Sequence, residues 1–319
     1  MAGAEIYSTA PGKLKVPTVP RGSRVAVLSP ASYPQPERLS QGVDGLRSLG
    51  FEPFLGAHAL SKSGGYFAGT VEERLLDLHA AFADPKVRAI ICTRGGYGAN
   101  YLLDRLDLEL IRANPKPLLG YSDITSIQTW LLDEVGLTTF HGPMAAADFA
   151  LKDGVDESSL FAALGGGKWS LGAESGLRVL RPGRAAGTLY GGCLTLLAAA
   201  LGTRHAPRSR GKLLFLEDLG VKPYQLDRLL RQMILAGRFE GVGGVIFGEM
   251  LNCAPPGQEA EALHQMILRV LDEVDGPIAI GLRSGHVSQS NVTLAFGLAA
   301  ELDLIHEPRL TFLEPATDL

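Results

Sequence analysis

Short apolar runs alternate with segments of helical periodicity along the first half of the chain. In Glu37–Leu49 the apolar residues recur every three or four positions and the pattern stops at Gly50, as in an amphipathic helix. Val71–Phe82 has a similar pattern, and Thr70 is a suitable N-cap for it. The predicted strands are Arg24–Leu28, Phe51–Leu55, Ala89–Thr93 and a fourth that includes Leu118 and Leu119. Apolar strands with helices between them indicate an α/β fold whose parallel sheet is covered on both faces.

The pattern changes between Leu151 and Arg184, where glycine-rich stretches interrupt the alternation. We place a linker at 156–186, between an N-terminal domain over 1–155 and a C-terminal α/β domain over 187–319. The elements predicted beyond the linker are a buried helix over Leu189–Leu201, strands over Leu213–Leu216, Gly244–Phe247 and Pro277–Gly281, and a helix over Tyr224–Ala236. The chain is long enough for both domains to have a core.

The composition of the chain argues against several classes of binding partner. The chain has 319 residues, of which 46% are hydrophobic and 20% charged, and its formal net charge is −4. A mildly acidic chain without a basic block argues against nucleic acid or an anionic membrane as the main partner. Its three widely spaced cysteines fit a reducing compartment better than a disulfide framework. Residues 1–20 show no secretory signal, and no apolar stretch is long enough to span a bilayer. We therefore expect a cytoplasmic enzyme.

Ser122 is the first candidate for chemistry. It follows the apolar run Leu118–Gly120 and precedes residues that open a predicted helix. A strand, a sharp turn and a helix in this order lift a hydroxyl out of the sheet, where a nucleophilic serine would lie. Taken alone, the segment also fits an ordinary connection in which Ser122 or Asp123 caps the helix.

Two further loops end predicted strands. Arg94–Gly98 has adjacent glycines that let the backbone approach a ligand and expose N–H donors, although a tight turn explains them equally well. The loop lacks the dinucleotide-binding pattern. Glu217 and Asp218 follow the strand Leu213–Leu216, where a carboxylate could orient a base or simply be solvated. Ligands in parallel α/β folds bind at such strand ends.

A serine nucleophile needs a base, and seven histidines are available. His141 follows a short predicted strand and His286 lies in a loop of small polar residues, so these two are candidates for a pocket. The other five lie in helical or variable surroundings. No group of residues has the spacing of a metal site, so we expect no metal and no cofactor.

Several motifs together resemble the LD-carboxypeptidases, also called muramoyltetrapeptide carboxypeptidases, a family of serine peptidases. The resemblance runs from about Pro20 to Asp303. The matching segments, in the family's order, are Leu28–Ser32, Arg94–Gly98, Gly120–Thr125, Phe140–Pro143, Phe215–Asp218 with Pro223–Tyr224 and Asp227–Arg228, and Gly285–His286. Each motif is moderately specific, and their common order makes the resemblance strong.

The resemblance implies a role for each candidate residue. Ser122 would be the nucleophile, His286 the general base and acid, and Glu217 the carboxylate that orients the imidazole. The backbone N–H groups of Asp123 and Gly95 would form the oxyanion hole. We also expect Arg94, Gly96, Tyr97 and His141 to bind substrate, and Arg94 is a candidate for contact with the substrate's terminal carboxylate.

The resemblance also implies an architecture and a substrate. The N-terminal domain would resemble the sheet of class I glutamine amidotransferases, and the smaller C-terminal domain would carry the glutamate and histidine. Members are commonly cytoplasmic homodimers that need no metal. The implied reaction is release of D-alanine from a murein tetrapeptide during cell-wall recycling, by cleavage of the bond between an L-centre and the terminal D-residue.

Three other functions compete with this interpretation. The microcin-immunity branch of the same family would cleave a peptide–aminoacyl-nucleotide conjugate. An α/β-hydrolase esterase is disfavoured because residue 124 is Ile124, so the G-x-S-x-G motif is absent. A binding protein without catalysis is disfavoured because all three residue types of a triad are present.

Overall fold

The computed structural model describes residues 11–254 and 259–318. The helices among them are α1 (Pro36–Ser48), α2 (Val71–Ala83), α3 (Leu108–Ala113), α4 (Thr125–Val135), α5 (Glu157–Leu164), α6 (Leu194–Ala199), α7 (Pro223–Leu235) and α8 (Glu259–Val270). The strands are β1 (Val16–Pro17), β2 (Arg24–Leu28), β3 (Glu52–Leu55), β4 (Ala89–Cys92), β5 (Leu118–Gly120), β6 (Thr139–His141), β7 (Ser170–Leu171), β8 (Arg178–Arg181), β9 (Arg184–Cys193), β10 (Lys212–Glu217), β11 (Gly244–Gly248), β12 (Ile278–Leu282), β13 (Leu294–Phe296), β14 (Ala299–Asp303), β15 (Arg309–Phe312) and β16 (Thr317–Asp318).

The first half of the chain forms a sheet whose spatial order is β13-β6-β5-β4-β2-β3. Its five strands from β2 to β6 run parallel, and β13 adds to β6 in the antiparallel direction. The central strands β2, β4 and β5 are buried along nearly their whole length, which agrees with their continuous apolar sequence. The predicted mixed α/β fold with parallel strands is confirmed.

The second sheet has the order β7-β15-β14-β9-β10-β11-β12-β8. Its four middle strands, β9 to β12, are parallel, and the strands on either side of them pair in the antiparallel direction. The short strands β1 and β16 pair separately. In this sheet Glu217 is the last residue of β10 and His286 follows the end of β12, so both lie at the same edge.

The prediction of a buried helix over Leu189–Leu201 is wrong in its first part. Residues up to Cys193 belong to β9, and only Leu194–Ala199 is helical. At Gly191 φ is +145°, and a Cβ there would lie 1.8 Å from the Phe215 backbone oxygen. The close approach of β10 therefore requires glycine and an extended chain. A short apolar run without periodicity does not distinguish these alternatives in the sequence.

The segment 156–186, expected as a linker, contains regular structure. It includes α5, whose Leu160 and Ala163 are buried, and the strands β7 and β8 at the two ends of the second sheet. Among the described residues, no helix is both long and apolar enough to cross a membrane.

Contacts between the two sheets bring their carboxyl edges together. The backbone N–H of Cys193, at the end of β9, donates to the Thr125 hydroxyl at the start of α4 over 3.0 Å. The His141 ring at the end of β6 lies 5.2 Å from the ring of Phe215 in β10, centroid to centroid. The loops after β4 and β5 consequently face those after β10 and β12.

Candidate active site

Ser122 occupies the sharp turn that follows β5. Its φ is +63°, an uncommon backbone conformation for a residue other than glycine, and residues Ser122–Ile124 form a single 3₁₀ turn before α4. The buried side-chain amide of Gln128 stabilises this turn. Its Nε2 donates to the carbonyl oxygens of Gly120 at 2.9 Å and Phe140 at 2.7 Å. The serine is partly exposed, whereas its neighbours Tyr121 and Asp123 are buried.

The Asp123 side chain is turned into the protein. Its Oδ2 accepts the backbone N–H of Ala99 over 2.7 Å. Burial raises the pKa of Asp123 to about 6, against the opposing effects of that hydrogen bond and of the Arg74 charge. The carboxyl group thus anchors the turn to the loop after β4, and only the backbone of Asp123 is placed to serve a ligand.

Gly95 approaches the serine very closely. A Cβ at Gly95 would lie 2.6 Å from Ser122 Cβ, 2.8 Å from Ser122 Oγ and 3.1 Å from the Asp123 nitrogen. The Gly95 carbonyl accepts from the Ser32 backbone, and the Gly95 amide donates to no acceptor within the described part of the chain. An unused N–H beside a serine hydroxyl is the arrangement that an oxyanion hole requires.

Glu217 and His286 form a close pair across the edge of the second sheet. Glu217 Oε2 lies 2.8 Å from His286 Nδ1 and also accepts the His286 backbone N–H over 3.0 Å. Burial disfavours the imidazolium, but the hydrogen bond to Glu217 and its negative charge outweigh this, so the pKa of His286 is raised. The carboxylate therefore fixes the ring and stabilises its charged form.

Glu217 itself is fully buried between two histidines. Burial would raise its pKa, but the imidazoles of His141 and His286 lower it to about 2. His141 Nε2 lies 3.8 Å from Glu217 Oε1, which is too long for a hydrogen bond, so this contact is electrostatic. The other ring nitrogen, His141 Nδ1, lies 3.0 Å from the Ser284 hydroxyl.

An open cleft of about 360 Å³ lies between the loops. It is lined by Ser122 and His286 together with Arg94, Gly95 and Gly96. Among the described residues, no hydrogen bond joins the Ser122 hydroxyl to the His286 ring. Catalytic hydrogen bonds of this type are often long in unliganded enzymes and shorten when substrate binds.

Two residues expected to bind substrate lie elsewhere. His141 is 0% exposed, behind Glu217, and therefore cannot contact a ligand in the cleft. Tyr97 is 42% exposed but packs against Phe67 and Tyr101, outside the cleft lining. The sequence pattern places both residues after strand ends, but it does not show which way the side chains turn.

A buried network that the sequence patterns do not indicate holds the His286 loop. Asn291 donates from Nδ2 to the Gly285 carbonyl over 2.9 Å and to Asp148 over 3.1 Å, and it accepts the Gly285 N–H over 3.1 Å. Burial raises the pKa of Asp148 to about 6. No local pattern in the sequence identifies this network, because Asn291 and Asp148 are 143 positions apart along the chain.

Within residues 11–254 and 259–318, no cluster of three or more histidine, cysteine or carboxylate side chains could hold a metal ion. Catalysis without a metal or cofactor stays a prediction, for which addition of a chelator is the test.

Comparison with protein families gives two matches. The model of the LD-carboxypeptidase N-terminal domain matches residues 25–142, and the model of the LD-carboxypeptidase C-terminal domain matches residues 186–302. Ser122 lies in the first match, and Glu217 and His286 lie in the second.

Individual relatives match most of the chain. The probable murein peptide carboxypeptidase of Bacillus subtilis is 37% identical, over 89% of this chain and 89% of that protein. The murein tetrapeptide carboxypeptidase of Pseudomonas aeruginosa is 35% identical, over 89% of this chain and 94% of its own length. The Escherichia coli microcin C7 self-immunity protein MccF is 27% identical, over 86% of this chain and 88% of that protein. A solved structure of MccF has a TM-score of 0.85 at 25% identity and covers 96% of this chain and 100% of its own.

Proposed function

The chain belongs to the LD-carboxypeptidase family, and we propose that it is a serine carboxypeptidase that releases a terminal D-alanine from murein tetrapeptide. The peptide bond cleaved would join an L-centre to the D-residue, in the recycling of cell-wall peptides. The two named murein peptide carboxypeptidases among its relatives support this choice of substrate.

In the proposed mechanism, His286 accepts the Ser122 proton as the hydroxyl attacks the scissile carbonyl. Glu217 holds Nδ1 of the ring, so Nε2 is the nitrogen left for this transfer. His286 then donates the proton to the leaving amine of D-alanine. A water, deprotonated by His286, hydrolyses the acyl-enzyme, and the serine is regenerated. The 2.8 Å pair of Glu217 and His286, with the His286 residue lining the same cleft as Ser122, is the observation that carries the proposal.

The oxyanion of each tetrahedral intermediate would lie between the backbone N–H groups of Asp123 and Gly95. The close approach of Gly95 to Ser122 supports this assignment. Such preorganised donors stabilise charge that develops only in the transition state, and one donor typically contributes about 3 kcal/mol.

His141 takes a different role in this proposal from the one its motif first indicates. Because it is buried against Glu217 and the Ser284 hydroxyl, we infer that it positions the carboxylate rather than binding substrate. Arg94 and Gly96 line the cleft, which supports the proposal that they contact substrate.

Release of D-alanine from a murein tetrapeptide, followed by chromatography, tests the function. Ser122→Ala and His286→Ala should each lower kcat at least about a thousandfold while the unfolding midpoint stays near that of the parent. Ser126→Ala, one helical turn further along α4, is the matched control and should remain active. Turnover near the parent rate in Ser122→Ala would refute the assignment of the nucleophile.

A microcin-immunity activity is the second candidate, favoured by the likeness to MccF in sequence and in fold. Hydrolysis of an aminoacyl sulfamoyl adenosine, measured beside D-alanine release, separates the two. Activity on the nucleotide conjugate alone would favour the second candidate.

We further propose that the protein acts as a cytoplasmic homodimer whose N-terminal sheet resembles that of class I glutamine amidotransferases, in two domains over 1–155 and 187–319. Its three cysteines, Cys92, Cys193 and Cys253, are buried free thiols, which supports a reducing compartment. Analytical ultracentrifugation would test the dimer.

A further inference from the structure

The lining of the candidate active-site cleft carries positive charge without compensating acid. Two arginines, Arg38 and Arg94, line it together with Ser122 and His286. Arg38 comes from the first turn of α1, and Arg94 follows β4. No aspartate or glutamate of the described chain is among the lining residues, because Asp123 and Glu217 are turned inward and fully buried.

Neither arginine makes a hydrogen bond or an ion pair with another described residue. Elsewhere in the molecule, arginines commonly do: Arg47 on the same helix binds Asp44 over 2.8 Å, and Arg74 donates to the Pro30 and Gly98 carbonyls. Arg38 is half-buried and Arg94 is exposed, and neither charge has a partner among the described residues. Guanidinium groups arranged in this way are ready to bind an anionic ligand.

The Arg94 side chain lies near the loop of the candidate oxyanion hole. Its Nη2 lies 3.8 Å from the point that a Gly96 Cβ would occupy, so the side chain folds over the loop that carries the unused Gly95 amide. In a carboxypeptidase, the terminal carboxylate is only a few bonds from the scissile carbonyl. Because Arg94 and Ser122 line the same cleft, Arg94 borders the space that the leaving residue and its carboxylate would occupy.

We propose that Arg38 and Arg94 together bind the free carboxylate of the substrate's C-terminal residue, and so restrict the enzyme to removal of a terminal residue. The inference rests on the proposed function and assigns the specificity of that same cleft. Ion-paired hydrogen bonds from two guanidinium groups would hold the leaving residue while Ser122 attacks. An internal peptide bond, or a blocked C-terminus, offers no such group.

The test compares two substrates in each variant. One is a tetrapeptide that ends in D-alanine, and the other is the same peptide ending in D-alaninamide, which keeps every side-chain carboxylate. The ratio of kcat/KM for acid over amide measures recognition of the terminal carboxylate alone. Arg38→Gln and Arg94→Gln should each lower this ratio roughly tenfold or more. Arg47→Gln, on the same helix outside the cleft, is the control and should keep the parent ratio.

Failure of this inference can be distinguished from failure of the proposed function. Because neither arginine bonds to another described residue, the variants lose no internal partner and should keep the unfolding midpoint of the parent. A double variant, Arg38→Gln with Arg94→Gln, that retains the parent ratio within about twofold would overturn the inference while leaving the carboxypeptidase intact. A parent enzyme that releases no D-alanine would instead overturn the function.

Discussion

At the scale of single residues, the site depends on one buried carboxylate. Glu217 has no exposed surface and stands between the rings of His286 and His141. A buried charge is costly unless it is paired, and here the pairing lowers the pKa of Glu217 to about 2. The carboxylate therefore stays ionised throughout the range in which His286 titrates, and it keeps the ring in one tautomer.

Replacement of Glu217 by glutamine should change both the rate and its pH dependence. As a base His286 must be neutral, so kcat/KM rises as pH increases through its pKa. Since the Glu217 charge raises that pKa, the amide should move the acidic limb to lower pH and lower the plateau about a hundredfold or more. A kcat/KM profile from about pH 5 to 9 measures both effects. Glu301→Gln, an exposed substitution in β14, is the control. An acidic limb at the parent's pH in Glu217→Gln would contradict the effect of the Glu217 charge on the pKa of His286.

At the scale of elements, two loops at strand ends must approach each other within van der Waals distance. The loop after β4 lies so near the turn after β5 that only a hydrogen fits on Gly95 Cα. The positive φ of Ser122 brings its side chain toward this loop. Backbone geometry of both loops, rather than additional side chains, thus builds the candidate oxyanion hole.

Gly95→Ala should be a severe catalytic variant with modest effect on stability. The new methyl would lie 2.6 Å from Ser122 Cβ, so the two loops must separate and the Gly95 amide must leave its place. We expect a loss in kcat/KM of about a hundredfold or more, comparable to loss of one oxyanion donor. Gly12→Ala, where a methyl meets open space, is the control. Full activity in Gly95→Ala would exclude this loop from the reaction.

The bounds of most elements can be predicted from the sequence because their cause is local. The predicted helix Glu37–Leu49 is observed at Pro36–Ser48, and Thr70 caps α2 through the predicted side-chain hydrogen bond to its first turn. The prediction of a helix over Leu189–Leu201 fails because of a strand outside that segment. There the neighbouring strand β10 pairs with the first five of those residues and holds them in the extended conformation.

At the scale of the whole molecule, the base and the nucleophile come from opposite halves of the chain. Asn291 links them: it binds the His286 loop at Gly285 and reaches Asp148, which in turn accepts the Met144 backbone N–H in the first half. The strand β13 also pairs with β6 of the first sheet. The position of His286 relative to Ser122 is consequently set by contacts of long sequence separation.

Asn291→Ala should both destabilise the protein and slow the reaction. It leaves the buried Gly285 amide without its acceptor and Asp148 Oδ1 without the Asn291 donor, at a cost of about 2–3 kcal/mol in the free energy of unfolding. It also frees the His286 loop, so kcat should fall even at temperatures where the variant is fully folded. Urea unfolding and D-alanine release measure the two effects. A normal kcat in the folded variant would show that other contacts alone position the base.

The sequence by itself determined the alternation of strands and helices, the turn at Ser122, and the family motifs that single out Ser122, Glu217 and His286. These features depend on periodicity and on neighbours in the chain, which a linear pattern contains. Only the tertiary structure decided that His141 is buried beside Glu217, that Tyr97 packs against Phe67 and Tyr101, and that Arg38 lines the cleft together with Arg94. The direction of a side chain at a strand end depends on packing against distant elements, and no local pattern encodes that packing.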